Sequence, residues 1–444
     1  MSRFQSYRAE VRPTLALALP IIVGQVSQML MGVTDSVMIG RVGAVPLAAS
    51  SFGGHIFGVF YVLGIGLMVP VSILVARARG AGELREAGEF LRHGLVLAVA
   101  FGVAEMLAMA ALSTQFHRFG QPPEVLAIVT PFALWLAASI PPVLAYLALR
   151  QFAEAMGHPW APMVIMLASV GLNAALNWIF IYGNLGAPAL GLTGAGLATC
   201  GSRLAALAVI ALWLRRDPKV RAAWPQRWLG NYDRARWREM LRIGVPASGM
   251  LLFESSAFAF SGIMVGWLGA VPLAAHQIAI SCASLAFMFP LGLSIAVGMR
   301  VSHAVGAGER ARLQPIAFGA MGLGFGVMGA CALALWLAGR PIAGWFVTDA
   351  AVIALAVELL AVAALFQLVD GLQVIAASAL RGVSDNKVPV TITLVAYWLI
   401  ALPLGYGLGI AGPLGAVGIW IGIAGGLTFA AIFLSVRYAR RTAA

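Results

Sequence analysis

Charge is what this chain has least of. Only 10% of its 444 residues are Asp, Glu, Lys or Arg, against about 25% in an ordinary soluble domain. So few charges cannot coat a water-facing surface, which excludes a soluble enzyme. Lysine is nearly missing: Lys219 and Lys387 are the two, and neither stands in a GxxxxGK[ST] loop that would cradle phosphate. The longest polar stretch, 215–242, is too short for a nucleotide-binding domain, so ATP-driven transport encoded within the chain is excluded. The three cysteines, Cys200, Cys282 and Cys331, sit in apolar stretches without metal-ligand spacing and read as small packing residues. The six histidines form no ligand cluster. His276 and His303 read as packing or helix-end residues, and no hydrolase spacing appears, so the chain is not expected to be an enzyme. No short apolar core with a small-residue cleavage site opens the chain, and the first apolar segment reads as a retained helix.

What the chain does have is long apolar runs. Hydrophobic residues make up 61% of it, and a bilayer-spanning helix needs about 20 mostly apolar residues. Twelve such segments can be marked, near 14–38, 46–76, 90–113, 127–149, 160–182, 188–214, 242–266, 272–299, 314–339, 350–380, 388–411 and 414–436. The fold class is therefore an all-α polytopic membrane protein. Of the 29 Lys and Arg residues, Arg41, Arg118 and Arg340 fall on one side and Arg203 falls within the sixth segment. The other 25 fall on the side holding both termini. That bias predicts cytoplasmic termini. The +12 net charge thus belongs to topology and lipid headgroups, not to nucleic acid.

The chain repeats itself. GAVPLAA occurs at 43–49 and again at 269–275, an offset of 226 that also maps Pro20 onto Pro246, Gly66 onto Gly292, and GAGE at 80–83 onto GAGE at 306–309. The displacement runs from helix 1 to helix 7, an even number, so both halves share one orientation. The expected architecture is two six-helix lobes related by a pseudo-two-fold axis along the membrane normal. The N-lobe spans 1–214, the cytoplasmic linker 215–241 and the C-lobe 242–444.

Five acids lie inside apolar segments: Asp35, Glu105, Glu254, Glu358 and Asp370. A charge at mid-membrane costs roughly 2.5–3.5 kcal/mol on insertion scales, so such residues face a cavity, take a proton or hold a cation. Asp370 is flanked at i−3 and i+3 by Gln367 and Gln373, which supply supporting amides. In helix 5, Asn173 and Asn177 at i, i+4 put two amide oxygens on one face, and Thr193 can add a hydroxyl. With a carboxylate these oxygens suit a hard cation. Glu105 and Glu358 read as structural or snorkelling. At the repeat offset Asp35 faces Ser261 and Glu254 faces Gln28, so each lobe carries its own acid at its own depth.

The opening LPIIVGQVSQMLMGVTDSVMIGRVGAVPLAA, together with VARARGAGE, LNAALNWIF, VPLAAHQIA and DGLQVIAASALRG, resembles the multidrug and toxic compound extrusion (MATE) family, particularly its NorM-type branch. The resemblance covers nearly the whole chain. It implies an efflux antiporter in the bacterial inner membrane that expels organic, mostly cationic drugs against sodium or protons, with no other cofactor, and that acts as a monomer. By position, Asp35, Asn173, Asn177 and Thr193 match the family's N-lobe cation site, and Glu254 and Asp370 match the C-lobe carboxylates. The implied sodium ligands are Asp35, Asn173, Asn177, Glu254 and Asp370. Phe366 stands where a tyrosine is expected, which adds weight to protons at Asp370.

A lipid-linked precursor flippase on a related scaffold is the nearest alternative. It should line its cavity with Arg, whereas the apolar segments hold five acids against Arg203 alone. A channel would show flux uncoupled from any opposing gradient, and a receptor none.

Overall fold

A computed structural model describes residues 3–225, 228 and 230–443. Among these, twelve helices are long and apolar enough to cross a membrane, and no strand occurs. In chain order they are α1 (Gln5–Gly40), α2 (Ala44–Gly80), α3 (Leu84–Ser113), α4 (Pro123–Ala155), α5 (Trp160–Tyr182) and α6 (Gly191–Arg216). After the polar stretch come α7 (Arg234–Gly266), α8 (Ala270–Gly306), α9 (Arg310–Phe346), α10 (Ala350–Gly382), α11 (Lys387–Gly409) and α12 (Gly415–Thr442).

The repeat is visible in the backbone. Helices α2 and α8 begin and end one repeat interval apart. Gly43 and Gly269 enter them with positive φ, and Gly82 and Gly308 follow them at φ 77° and 73°. A side chain would be strained at each of these turns, which explains why both copies keep glycine there.

The chain folds into two compact units, one comprising Met1–Ile22 with Gly249–Ala444 and the other Val23–Ser248. Both cuts fall inside helices, α1 and α7, two residues beyond Pro20 and Pro246. A proline inside a helix removes a hydrogen bond and bends it. The cuts are themselves one repeat interval apart. The linear halves divided at 214 and 242 describe the repeat, whereas the packing units each take the N-terminal part of the other copy's first helix. In the Val23–Ser248 unit Gly66 lies directly against Ser248, and in the other unit Gly292 lies directly against Ile22. Ser248 and Ile22 are equivalent positions, so each helix crossing is a copy of the other. Close approach of this kind, permitted by glycine, is how membrane helices pack.

In the Val23–Ser248 unit, α4 breaks at Ser139, between Pro123–Ala138 and Ile140–Ala155. Pro141 and Pro142 withhold two backbone donors just after the break. Past it the helix runs on to Ala155, so Arg150 and Glu154 are helical and buried, with Arg150 Nε 2.7 Å from Glu154 Oε1. The sequence reading ended this segment at 149 and placed Arg150 in a loop. The ion pair lets the helix continue, because each charge is neutralised where it is desolvated.

In the other unit, α10 packs against α8, α9 and α12. Helix α11 contains a π-helical stretch, Val395–Ala401, upstream of Pro403, which lacks the N–H that would close on Leu399. Close approach of α11 to α12 rests on Gly405 against Gly422. Near its start, Glu10 accepts hydrogen bonds from Arg300 and, at 2.7 Å, from Arg312 Nε.

Candidate functional site

In the Val23–Ser248 unit three helices present the same stripe, i, i+3, i+4, i+7, to a cavity of about 210 Å³. Helix α1 gives Gln28, Met31, Gly32 and Asp35; α4 gives Val143, Tyr146, Leu147 and Arg150; α6 gives Thr199, Ser202, Arg203 and Ala206. Phe57 and Tyr61 of α2, stacked at 5.5 Å, complete an aromatic wall. Spacing of three and four residues keeps one face of each helix inward. The cavity is thus read directly from the helical period.

Asp35 is half-buried and held from two helices. Asn177 Nδ2 donates to its Oδ1 at 2.6 Å, and Thr199 Oγ1 donates to its Oδ2 at 3.4 Å. Asn177 Nδ2 also donates to Asn173 Oδ1 at 3.2 Å, and both asparagines are fully buried. The sequence-derived cluster Asp35, Asn173 and Asn177 is therefore brought together. Asn177 meets the carboxylate with its nitrogen, and Asn173 turns its oxygen to Asn177, so the two oxygens do not converge on Asp35 as a cation cage would have them. Asn177 Oδ1 has no hydrogen-bond partner among the described residues. A half-turn of that amide would exchange a donor for an oxygen ligand. The threonine that reaches Asp35 is Thr199. Thr193 lies half-buried in the first turn of α6 and is not among the cavity-lining residues. Arg203, one turn after Thr199, stacks its guanidinium 4.6 Å over Phe57 and donates to Ser139 Oγ.

In the other unit, Glu254 of α7 is half-buried and Asp370 of α10 is 6% exposed. Each lies within electrostatic reach of the other. Tyr397 of the π-helical stretch and Arg381 both lie within electrostatic reach of Glu254, and the buried Tyr397 hydroxyl has no hydrogen-bond partner among the described residues. Gln367 and Gln373 are buried beside Asp370 on α10, and Gln367 Oε1, Gln373 Oε1 and Asp370 Oδ1 have no hydrogen-bond partner among the described residues. Unsatisfied oxygens of this kind call for a ligand, since buried polar groups are normally paired. Neutral oxygens with carboxylates suit sodium or a proton. Phe366 offers no oxygen; its ring lies 5.5 Å from Trp420. The nearby hydroxyl comes from Tyr397 on another helix.

Sequence reasoning missed Thr199, Tyr397, Arg381 and Arg150. Arg203 is not the lone intramembrane base, because Arg150 and Arg381 also lie inside spanning helices. Of the remaining acids, Glu105 is buried with neither carboxylate oxygen hydrogen-bonded among the described residues, and Glu358 is exposed. His276 Nδ1 accepts from Trp420 Nε1 at 3.1 Å, a packing role. The three cysteines are free thiols.

The MatE family model matches residues 20–179 and 246–407, two matches that start one repeat interval apart. A probable multidrug resistance protein NorM of Mesorhizobium japonicum is 36% identical over 445 residues, covering 98% of this chain and 95% of that protein. One of Pseudomonas putida with the same description is 37% identical over 433 residues, covering 96% and 93%. Among solved structures, an outward-facing multidrug resistance MATE family transporter of the MOP superfamily superposes with a TM-score of 0.89. It is 24% identical and covers 100% of this chain and 98% of that one. A MOP superfamily transporter from Pyrococcus furiosus superposes with a TM-score of 0.90, at 24% identity and the same coverage.

Proposed function

The chain belongs to the MatE family of multi-pass membrane transporters and is not an enzyme, and on that premise we propose that it is a secondary multidrug efflux antiporter. It expels organic, mostly cationic compounds by alternating access, in exchange for sodium ions or protons entering down their gradient. Its place is the bacterial inner membrane with both termini cytoplasmic, an orientation that the basic-residue bias supports.

The observation that carries this reading is Asp35 on the wall of a cavity with Phe57, Tyr61 and Tyr146 inside bilayer-length helices. A bare carboxylate there is costly, and any cation that reaches it is held more strongly than in water. Aromatic faces add cation–π attraction for an organic cation. Drug and coupling ion compete for the same negative charge, at Asp35 in one unit and at Glu254 with Asp370 in the other. Competition gives the two ligands a negative coupling, and linkage makes it reciprocal: entry of the ion weakens the hold on the drug and the reverse. Exchange follows from that reciprocity once the site opens to one side at a time.

The flippase alternative needs an Arg-lined cavity. Arg150 is neutralised by Glu154 at 2.7 Å, and Arg203 is balanced by Asp35 across the cavity, so the lining carries no net excess of positive charge. The test is ethidium efflux from purified proteoliposomes, first under an imposed sodium gradient and then under a proton gradient alone. Efflux driven by either one supports the antiporter. Ethidium movement that ignores both gradients refutes it.

A further inference from the structure

We propose that two ion pairs of reversed polarity, Arg236–Glu86 and Glu10–Arg312, select which copy of the repeat the first halves of α1 and α7 dock on. The device acts in assembly, whatever compound the protein carries.

In the Val23–Ser248 unit, Arg236 of α7 forks onto Glu86 of α3. Its Nε donates to Oε1 and a terminal nitrogen donates to Oε2, both at 2.8 Å. In the other unit, Arg312 of α9 forks onto Glu10 of α1 through the same atoms, Nε to Oε1 at 2.7 Å and a terminal nitrogen to Oε2 at 3.2 Å. Glu10 and Arg236 are equivalent positions at the offset of 226, and so are Glu86 and Arg312. One two-bond guanidinium–carboxylate contact is therefore built twice at the same place in the repeat, with its charges exchanged. Each arginine is also held by an acid three residues before it, Asp233 at 3.3 Å and Glu309 at 2.6 Å. Arg300 adds a further donor to Glu10, where the other copy has Leu74.

A duplicated chain makes the docking of these half-helices ambiguous, as in domain swapping. Ser248 against Gly66 and Ile22 against Gly292 are copies of one crossing, so backbone shape accepts either half-helix at either place. Charge removes the ambiguity. In an exchanged arrangement the first half of α1 would bring Glu10 to Glu86, in the acidic start of α3 with Glu83 and Glu89, and the first half of α7 would bring Arg236 to Arg312 and Arg300. Both contacts would then set like charges face to face. Had both first helices carried the acid, either arrangement would pair opposite signs. The Arg236 and Glu86 side chains are 27% and 30% exposed, so their attraction alone contributes little. Discrimination is a difference between two arrangements, and repulsion in the wrong one supplies most of it.

The experiment separates selection from simple stabilisation. Full-length protein with Cys200, Cys282 and Cys331 replaced by alanine carries Glu239→Cys with either Arg77→Cys or His303→Cys. Arg77 and Glu239 approach to 3.5 Å, and His303 is the copy of Arg77. A short bismaleimide added to membranes therefore reports the observed docking of α7 in the first background and the exchanged docking in the second. Two double variants are compared in each. Glu86→Arg with Arg236→Glu keeps the ion pair with its polarity turned, and makes both exchanged contacts attractive as well. Glu86→Gln with Arg236→Gln removes the pair and leaves the exchanged contacts neutral. Selection predicts that the polarity-turned variant assembles worst: its ratio of observed to exchanged cross-link should fall about tenfold or more below that of the unaltered pair, with the neutral variant between. If the polarity-turned variant yields too little folded protein for a ratio while the neutral one folds, the same order holds and supports the proposal. A pair that merely stabilises gives the reverse order. A polarity-turned variant that matches or exceeds the neutral one overturns the proposal.

Discussion

Asn177 offers Asp35 its amide nitrogen, not its oxygen, at 2.6 Å across 142 residues of chain. The carboxylate is thereby held in place by Asn177 and Thr199. A hydrogen bond to a charged group contributes about 1.5–3 kcal/mol. Asn177→Leu should therefore lower ethidium efflux by about tenfold or more while the protein still inserts. Retention of full efflux by this variant would remove the asparagine from the site.

Tyr397 should matter to the second carboxylate centre as Thr199 and Asn177 matter to the first. The π-helical stretch buries it within electrostatic reach of Glu254, with its hydroxyl unpaired among the described residues and so able to serve an ion or a proton there. Tyr397→Phe keeps the ring against Phe258, whose centroid is 6.1 Å away, and removes only the oxygen. Coupled efflux should drop about tenfold with little change in the thermal unfolding midpoint. An equal fall in stability and transport would make the residue structural.

The buried pair Arg150–Glu154 has side chains only 5% and 3% exposed. Removing one partner strands the other, at a cost of about 3–5 kcal/mol. Arg150→Met and Glu154→Leu should each destabilise the purified protein in thermal unfolding. The double variant should recover most of the loss, since an apolar pair of similar volume is often neutral. Additive losses in the double variant would contradict this account of the pair.

The glycine crossings make a matched prediction. Gly66 lies against Ser248 and Gly292 against Ile22, whereas Gly322 has open space around it. Gly66→Leu and Gly292→Leu should each cost about 1–3 kcal/mol or more from overpacking, and Gly322→Leu should be tolerated. Detergent unfolding curves of the three variants decide it.

The twelve helices, the repeat and the Asp35, Asn173 and Asn177 cluster were legible because each rests on a local rule: apolar length, a fixed offset, or i, i+4 spacing. Thr199 was not, since α6 carries two threonines six residues apart and only packing decides which turns toward α1. Arg150 was not legible, because a charge usually ends an apolar run and its partner Glu154 lies one turn further on. Tyr397 and Arg381 come from two different helices, and nothing in either segment alone marks them as neighbours of Glu254. The exchange of first-helix halves was hidden for the same reason. Pro20 and Pro246 announce a bend, but the direction of a bend is set by what lies beside it.

The central claim is that buried carboxylates, one centre in each repeat, trade an incoming ion for an outgoing drug. It is tested most directly by ethidium efflux from proteoliposomes containing Asp35→Asn or Asp370→Asn, under the gradient that drives the wild type, with insertion checked by protease protection. The account predicts that each variant inserts normally and that gradient-driven efflux falls to the level of empty liposomes. Efflux at the wild-type rate from either variant would contradict it.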